Sequence, residues 1–497
     1  MSDRARFRGG TRLRRHPAET AKLTTGTRFA RSQLELPQFP NCGLPMPDQK
    51  TLPQKLQPAR FSASARLDRL PITFFHRRIM WLLGFVFFFE LGDINSFSFA
   101  APAIRIGWHL SIPTIGFITS ATFVGMFVGA TAGGWFSDRI GRKRALILTT
   151  VWYAGFSLLN AFVWEPIGLF ITRLLTGVGL SAMTVVGMTY ISEMFPANRR
   201  GTYQGWTMMI GLFGIPATAY VARFFVPLAP WGWRLVFVWG SLGILFRLFA
   251  SRLEESPRWY ENHGRLEESD AVLDRIEKSA QKKIGVLPPV SNTVQVAPRS
   301  GGFAELITPP HLPRTIMLIS TWMFQTLGFY GFASWVPTLL AEHGFSLVNS
   351  LAWSSAMWLG AVPGALIAAL ISDRWERKRW IPIVALLSAF CGLTYGLTFR
   401  MTTIIIFGFL VAMLQHVHTP LLYAYTPECY PTEIRNSGAG LAYGVGRLAN
   451  VFGPLLVAFL FTHHGYTSVF VYIATCWVLV AIIIGGFGPL TKGRTLV

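Results

Sequence analysis

The stretch Gly134-Trp-Phe-Ser-Asp138-Arg139-Ile-Gly141-Arg142-Lys143-Arg144 lies between two long apolar segments and packs five charges into its last seven residues. Clustered cations on so short a link read as a loop held at the cytoplasmic face of a membrane. The same loop returns 235 residues later as Asp373-Arg374-Trp-Glu-Arg377-Lys378-Arg379. A second pair of loops keeps that offset: Tyr190-Ile-Ser-Glu193-Met-Phe-Pro196 against Tyr425-Thr-Pro-Glu428-Cys-Tyr-Pro431, and Arg200 against Arg435. Two separate loops with one common spacing indicate a duplicated unit, the arrangement of carriers built from parallel repeats.

Outward from these loops the chain is apolar. Of 497 residues, 51% are hydrophobic and only 14% charged, against about 25% charged in an ordinary soluble protein. A bilayer is crossed by about 20 mostly apolar residues. Segments of that kind fall near 79–102, 113–136, 144–163, 167–190, 202–224, 232–250, 313–336, 348–371, 380–398, 402–425, 437–462 and 466–489. The fold class that follows is an all-α membrane protein with twelve transmembrane helices in two pseudo-symmetric six-helix bundles.

The predicted divisions are a disordered basic tail over 1–75, a first bundle over 76–251, a linker over 252–312, a second bundle over 313–490 and a tail over 491–497. Met46 offers an alternative start within the first of these. The loops after segments 2, 4, 8 and 10 hold Arg139, Arg142, Lys143, Arg144, Arg199, Arg200, Arg374, Arg377, Lys378, Arg379 and Arg435; the opposite loops hold few cations, such as Arg105 and Arg400. Both termini are therefore expected on the cytoplasmic side of a cell's inner membrane. In the linker, the run from Arg265 to Glu277 reads as an amphipathic surface helix.

The net charge of +21 raises the question of nucleic acid, but the basic residues sit in the tail and short loops, so lipid is the expected partner. The four cysteines, Cys42, Cys391, Cys429 and Cys476, form no CxxC pair and read as apolar packers. No phosphate-binding Gly-x4-Gly-Lys-Ser/Thr motif, metal motif or hydrolase motif is present. An enzyme or a nucleotide-driven pump is thereby excluded, and no cofactor is expected beyond a proton gradient.

Gly134 to Lys143 resembles the signature loop of the major facilitator superfamily. Glu255-Ser-Pro-Arg258-Trp259 followed by Gly264-Arg265 resembles the end of the first half in its sugar porter and metabolite–proton symporter branches, and Arg173-Leu-Leu-Thr-Gly177-Val-Gly179-Leu resembles the start of their fourth helix. The resemblance covers about 75–490. The second signature loop departs from the pattern, with Ala369 and Glu376 where glycines are expected. The resemblance implies the major facilitator fold and a monomeric secondary transporter. It also implies a charged clamp of Gly134, Asp138, Arg139, Gly141, Arg142, Glu193, Arg200, Glu255 and Arg258, with Asp373, Arg377, Glu428 and Arg435 in the second half, that latches the outward-open state. The competing reading of these charges is topology setting and helix capping.

Ionisable groups inside lipid are costly and mark function or pairing. The first segment holds Glu90-Leu-Gly92-Asp93, and the fourth holds Arg173. At 1.5 Å per residue Asp93 lies about 21 Å from the cytoplasmic end of its helix and Arg173 about 9 Å from the outer end of its own, similar depths in a core of about 30 Å. Their counterparts at the common offset are Gly328 and Gly408, so the pair exists in one half only. In sugar porter relatives an acid and an arginine at these places couple protons to transport. A static salt bridge is the alternative.

Glu90 reads either as a second proton site or as the partner of Arg447 or of another helix. Arg447 reads equally as a clamp for an anionic substrate or as the counter-ion of Glu90. The resemblance places segments 1, 4, 7 and 10 around a central cavity, which makes Gln325, Tyr330, Gln415 and His416 candidate contacts for a small solute. His418, two residues on, faces another way. Trp322 and Phe329 are stacking surfaces or plain core. The expected function is proton-coupled uptake of an organic anion or a sugar. The alternatives are a drug–proton antiporter, whose helix-5 pattern fits Gly211-Leu-Phe-Gly214-Ile-Pro216 poorly, a uniporter and a transporter-like sensor.

Overall fold

The structure is a computed structural model that describes residues 61–290, 303–371, 376–431 and 434–491. Twelve long helical segments run through it. They are α1 (Phe74–Trp108), α2 (Ile112–Ile140), α3 (Arg142–Asn160), α4 (Pro166–Met194), α5 (Arg200–Leu228) and α6 (Arg234–Arg252) in the first half. The second half holds α7 (Leu312–Ala333), α8 (Leu347–Ile371), α9 (Arg377–Leu397), α10 (Met401–Glu428), α11 (Arg435–His464) and α12 (Tyr466–Phe487). Among the described residues eleven are long and apolar enough to cross a membrane. The twelfth, α3, falls short because it opens on Arg142-Lys143-Arg144.

Local chemistry sets the helix ends. Ser111 caps α2 by accepting the Thr114 amide at 3.3 Å, with Pro113 in the first turn, where no amide hydrogen is needed. The chain leaves α2 through Gly141, whose φ of +98° is strained for any residue with a Cβ. Inside the spans, α5 breaks at Phe213 and α8 at Leu359-Gly360. Both breaks occur at close crossings: a Cβ on Gly214 would meet the Phe88 carbonyl of α1, and one on Gly360 the Phe409 carbonyl of α10.

Large apolar side chains such as Trp81, Phe117, Trp152, Phe390 and Phe452 stand exposed on the outside of the bundle. In water such a surface would aggregate; in lipid it is the normal solvent contact. The two halves meet along α2 with α11 and α5 with α8. Gly116 packs on Pro454 and Ala458, and Ser355 donates to the Ala219 carbonyl at 2.9 Å. The end that carries Arg142, Arg377 and the linker is the basic end; at the opposite end an ion pair between Arg105 and Glu342 joins the halves. Cys391, Cys429 and Cys476 are buried and unbridged.

One sequence expectation fails. Composition puts an unstructured tail through residue 75, yet 61–75 is built into the fold, and residues 1–60 lie outside the described ones. A short helix, Ala63–Asp68, buries Ala63 and Leu67 and docks on the linker helix Leu266–Ile284. Arg66 bonds Asp270 at 3.0 Å, Asp274 at 2.6 Å and Glu277 at 2.8 Å, and Arg69 reaches Glu277 at 2.7 Å. So short a helix does not hold alone; contacts distant in sequence hold this one, so local composition gave no sign of it.

Burial would raise the Glu277 carboxyl, but hydrogen bonds and charge from Arg66 and Arg69 outweigh it and hold the group below its ordinary value. A carboxyl so depressed contributes stability that is present above the unfolded value and lost as pH falls through the folded one. Glu277→Gln is expected to cost the strap about 1–2 kcal/mol. Tryptic cleavage at Arg66 and Arg69 should then quicken about tenfold near pH 7. Below the carboxylate range, where pepsin replaces trypsin, wild type and variant should be cut in this segment at equal rates. Equal rates at pH 7 would show that the strap does not depend on Glu277.

Candidate functional site

Asp93 and Arg173 are fully buried in the middle of the first half. Asp93 Oδ1 accepts hydrogen bonds from Ser157 Oγ of α3 at 2.6 Å and Ser96 Oγ at 3.3 Å. Its Oδ2 stands 3.6 Å from Arg173 Nη1 and accepts no hydrogen bond. Arg173 spends its donors elsewhere, on Thr122 Oγ1 at 3.1 Å and Ser96 Oγ at 3.3 Å. Its guanidinium lies 5.8 Å from the rings of both Phe97 and Phe237. The pair is thus in electrostatic contact without a direct hydrogen bond, and each partner has neutral hydroxyls to rest on when the other is lost.

Ser96, Thr122 and Ser157 escaped the sequence reading. Ser96 had a signal, since three residues from Asp93 it shares a helix face; the other two come from neighbouring helices. Space for the acid comes from α6, where a Cβ on Gly240 would strike Asp93 Oδ1. In the second half the counterpart positions are plugged. Gly328 lies under the Trp477 indole and Gly408 against the Met357 thioether. Where the first half has a charged pair, the second half has apolar packing.

Between the halves lies a cavity of ≈ 640 Å³ of empty space, counting its mouth. Its walls are Phe123 and Met126 of α2, Trp322 and Phe329 with Tyr330 of α7, Tyr423 of α10, and Tyr443 of α11. Polar groups converge on it: Gln325, Thr326, Thr419, Asn450 and Arg447. Phe123 and Tyr330 meet edge to face across the halves at 4.8 Å.

Gln325, Tyr330 and Arg447 therefore line the cavity. Gln415 and His416 do not, which corrects the sequence expectation for both. His416 turns its Nδ1 to the Ala412 carbonyl at 2.8 Å and packs on Phe329 and Trp358. Gln415 is fully buried, and its side-chain amide makes no hydrogen bond. Their helix α10 is apolar all round, so periodicity offered no face to choose. Thr419, one turn on, is the α10 polar group that reaches Gln325, at 3.2 Å.

Glu90 is 1% exposed. Its Oε1 accepts from Thr184 Oγ1 of α4 at 2.6 Å, while Oε2 has no partner. Arg447 crosses from the second half to bond Ser181 Oγ, one turn before Thr184 on the same helix.

At the basic end, Arg142 holds Glu193 at 2.8 Å and Asp138 at 2.5 Å. In the second half Arg377 holds Glu428 at 2.5 Å. Each of these pairs lies within one half. Asp373 falls outside the described residues. Arg139 stacks over Trp135 at 4.0 Å. Arg258 reaches the Ser192 carbonyl at 3.4 Å and Asp68 at 3.7 Å. Arg200 acts on Arg258 as a like charge. Arg435 turns to the Tyr430 carbonyl at 3.5 Å. Gly134 has open space where a Cβ would sit.

The departure at Glu376 has a physical explanation. In the first half the linker's Glu255 carboxylate seats against Gly141 and accepts the amides of Lys143 at 3.0 Å and Ser256 at 3.0 Å. Glu376 occupies the place of Gly141 in the repeat. Its own carboxylate accepts the amides of Lys378, counterpart of Lys143, at 3.3 Å and of Thr491 at 3.2 Å. The helix N-terminus thus keeps its anion in both halves, supplied by the linker in one and by the loop residue in the other.

A family profile described as "Sugar (and other) transporter" matches residues 77–497. The chain belongs to this transporter family. It is 46% identical over 437 residues, 88% of this chain and 97% of the relative, to YyaJ of Bacillus subtilis, which is provisionally assigned as a metabolite transport protein. It is 30% identical over 438 residues, 87% of this chain and 98% of the relative, to the niacin transporter NiaP of Acinetobacter baylyi. The fold matches the partially occluded inward-open xylose transporter XylE of Escherichia coli with a TM-score of 0.69 at 18% identity, over 85% of this chain and 100% of that one. The chain is therefore a multi-pass membrane transporter of the major facilitator fold, and its relatives are transporters, not enzymes.

Proposed function

We propose that this transporter is a monomeric proton symporter that imports an aromatic carboxylate by alternating access, with both termini in the cytoplasm. The observation that carries the substrate reading is Arg447 in a cavity walled by six aromatic rings. A guanidinium fork matches a carboxylate, and offset or edge-on aromatic contacts suit a flat ring. Gln325 and Asn450 are placed to hold a ring substituent. NiaP, which carries niacin, is a relative consistent with this class.

The coupling reading rests on Asp93 and Arg173. An outside proton taken by Asp93 removes the attraction to Arg173, and the serine and threonine hydroxyls around each group support both the joined and parted states. The ion pairs at the basic end then act as rivets that keep each half rigid while the halves rock.

The test is uptake into proteoliposomes of nicotinate, 4-hydroxybenzoate and xylose, with and without an acid-outside gradient. The expected result is gradient-dependent accumulation of an aromatic carboxylate, abolished in Arg447→Gln. Uptake of xylose alone, or uptake indifferent to the gradient, would overturn the reading.

A further inference from the structure

Arg447 belongs to the second half, yet its described hydrogen bond is to Ser181 of the first. Ser181 and Thr184 are three residues apart on α4, neighbours on one face, and Thr184 holds Glu90 at 2.6 Å. The Arg447 charge acts on Glu90, and Glu90 keeps one oxygen, Oε2, without a partner. Arg447 also faces the aromatic cavity. One cation thus stands between a buried carboxylate of the first half and the space assigned to the solute.

We infer that Glu90 and the anionic group of the substrate compete for Arg447, so that anion binding frees Glu90 to take a proton and each solute enters with one proton more than Asp93 alone supplies. The inference rests on the carboxylate reading above. In the empty carrier, Arg447 spans the halves at α4 and balances Glu90. A substrate carboxylate draws the guanidinium into the cavity. Glu90, still bonded to Thr184, then lacks a counter-ion in a buried site and binds a proton at Oε2. Release of the solute returns Arg447 and expels the proton. The charge balance closes: one carboxylate replaces another beside the same guanidinium, and the displaced one leaves its ionised form.

The titratable and charged groups that interact electrostatically with Glu90 among the described residues are Asp93 on its own helix, Tyr153 of α3, Tyr330 of α7 and Arg447 of α11. The two tyrosines carry no charge, and Asp93 is engaged by Ser157, Ser96 and Arg173. Arg447 is the cation among them, so changing its position changes Glu90 most. The arrangement has no copy in the other half. At the common offset of the repeat, the counterpart of Glu90 is Gln325, a neutral amide that lines the cavity and cannot ionise.

Two measurements on the purified carrier test the inference. The first needs no substrate: infrared difference spectra follow the protonated-carboxyl band of Glu90, assigned by its loss in Glu90→Gln. In Arg447→Gln that band should titrate at a pH at least one unit higher than in wild type, and an unchanged titration would overturn the inference. The second is the proton-to-solute ratio with nicotinate and 4-hydroxybenzoate in proteoliposomes. It should fall by one in Glu90→Gln, and an unchanged ratio would equally overturn it. If neither carboxylate is carried, the substrate reading fails, while the infrared titration still decides whether Glu90 answers to Arg447.

Discussion

Asp93→Asn is expected to cut the accumulation ratio driven by a pH gradient to the part that the Glu90 proton alone supports, while solute exchange across the membrane continues. Asparagine keeps the size of the side chain and can still accept from Ser157 at the position of Oδ1, which is bonded at 2.6 Å. What it loses is the charge opposite Arg173. Removing one member of a buried pair costs about 3–5 kcal/mol, because the other charge is left uncompensated. That is more than about a hundredfold in the balance between conformations. The variant should rest in the state that the carrier protonated at Asp93 adopts, and pH should no longer move it through this residue. Counterflow of labelled solute with no gradient measures the exchange, and gradient-driven uptake measures the coupling. Full gradient-driven uptake by the variant would end the role given to Asp93; loss of both activities would point to a structural role.

The parts of this architecture legible beforehand were those written in charge. Loop cations marked the membrane face because lipid excludes them, and the common offset of Asp138 and Asp373 marked the repeat because the same loop chemistry is needed twice. Asp93 and Arg173 could be paired because similar depth and the resemblance to sugar porters pointed to the same two residues. What stayed hidden is carried by neutral or tertiary features. Ser157 and Gly240 look ordinary in sequence, and only the packing of α3 and α6 on α1 brings them to Asp93. Gln415 and His416 were misplaced because an all-apolar helix does not declare which side faces the cavity. The short helix at Ala63–Asp68 depends on Arg66 meeting acids more than 200 residues away. Glu376 looked like decay of a motif, yet it supplies the same anion that Glu255 brings from the linker.

Gly129→Val is expected to destabilise the carrier strongly, although Gly129 does not line the cavity. α2 and α4 cross with backbones nearly touching: a Cβ on Gly129 would run into the Val178 carbonyl, one on Gly125 into the Leu174 carbonyl, and one on Gly177 into the Thr122 carbonyl. Close crossings of this kind rest on small residues, because helices in lipid associate by packing and gain little from hydrophobicity. Backbone cannot yield as a flexible side chain does, so the helices must part, at a cost of about 3 kcal/mol. The melting temperature in detergent should fall by about 3 °C. Gly155→Val is the control, since nothing lies within 4 Å of a Cβ there, and its melting temperature should stay near that of wild type. The crossing also has a functional consequence. Arg173 lies one turn before Gly177 on α4 and bonds Thr122 of α2, so parting the two helices moves the guanidinium relative to Asp93. Gly129→Val protein that survives purification should therefore show weakened proton coupling as well as lowered stability, whereas an unchanged melting temperature would show that the crossing is looser than its geometry.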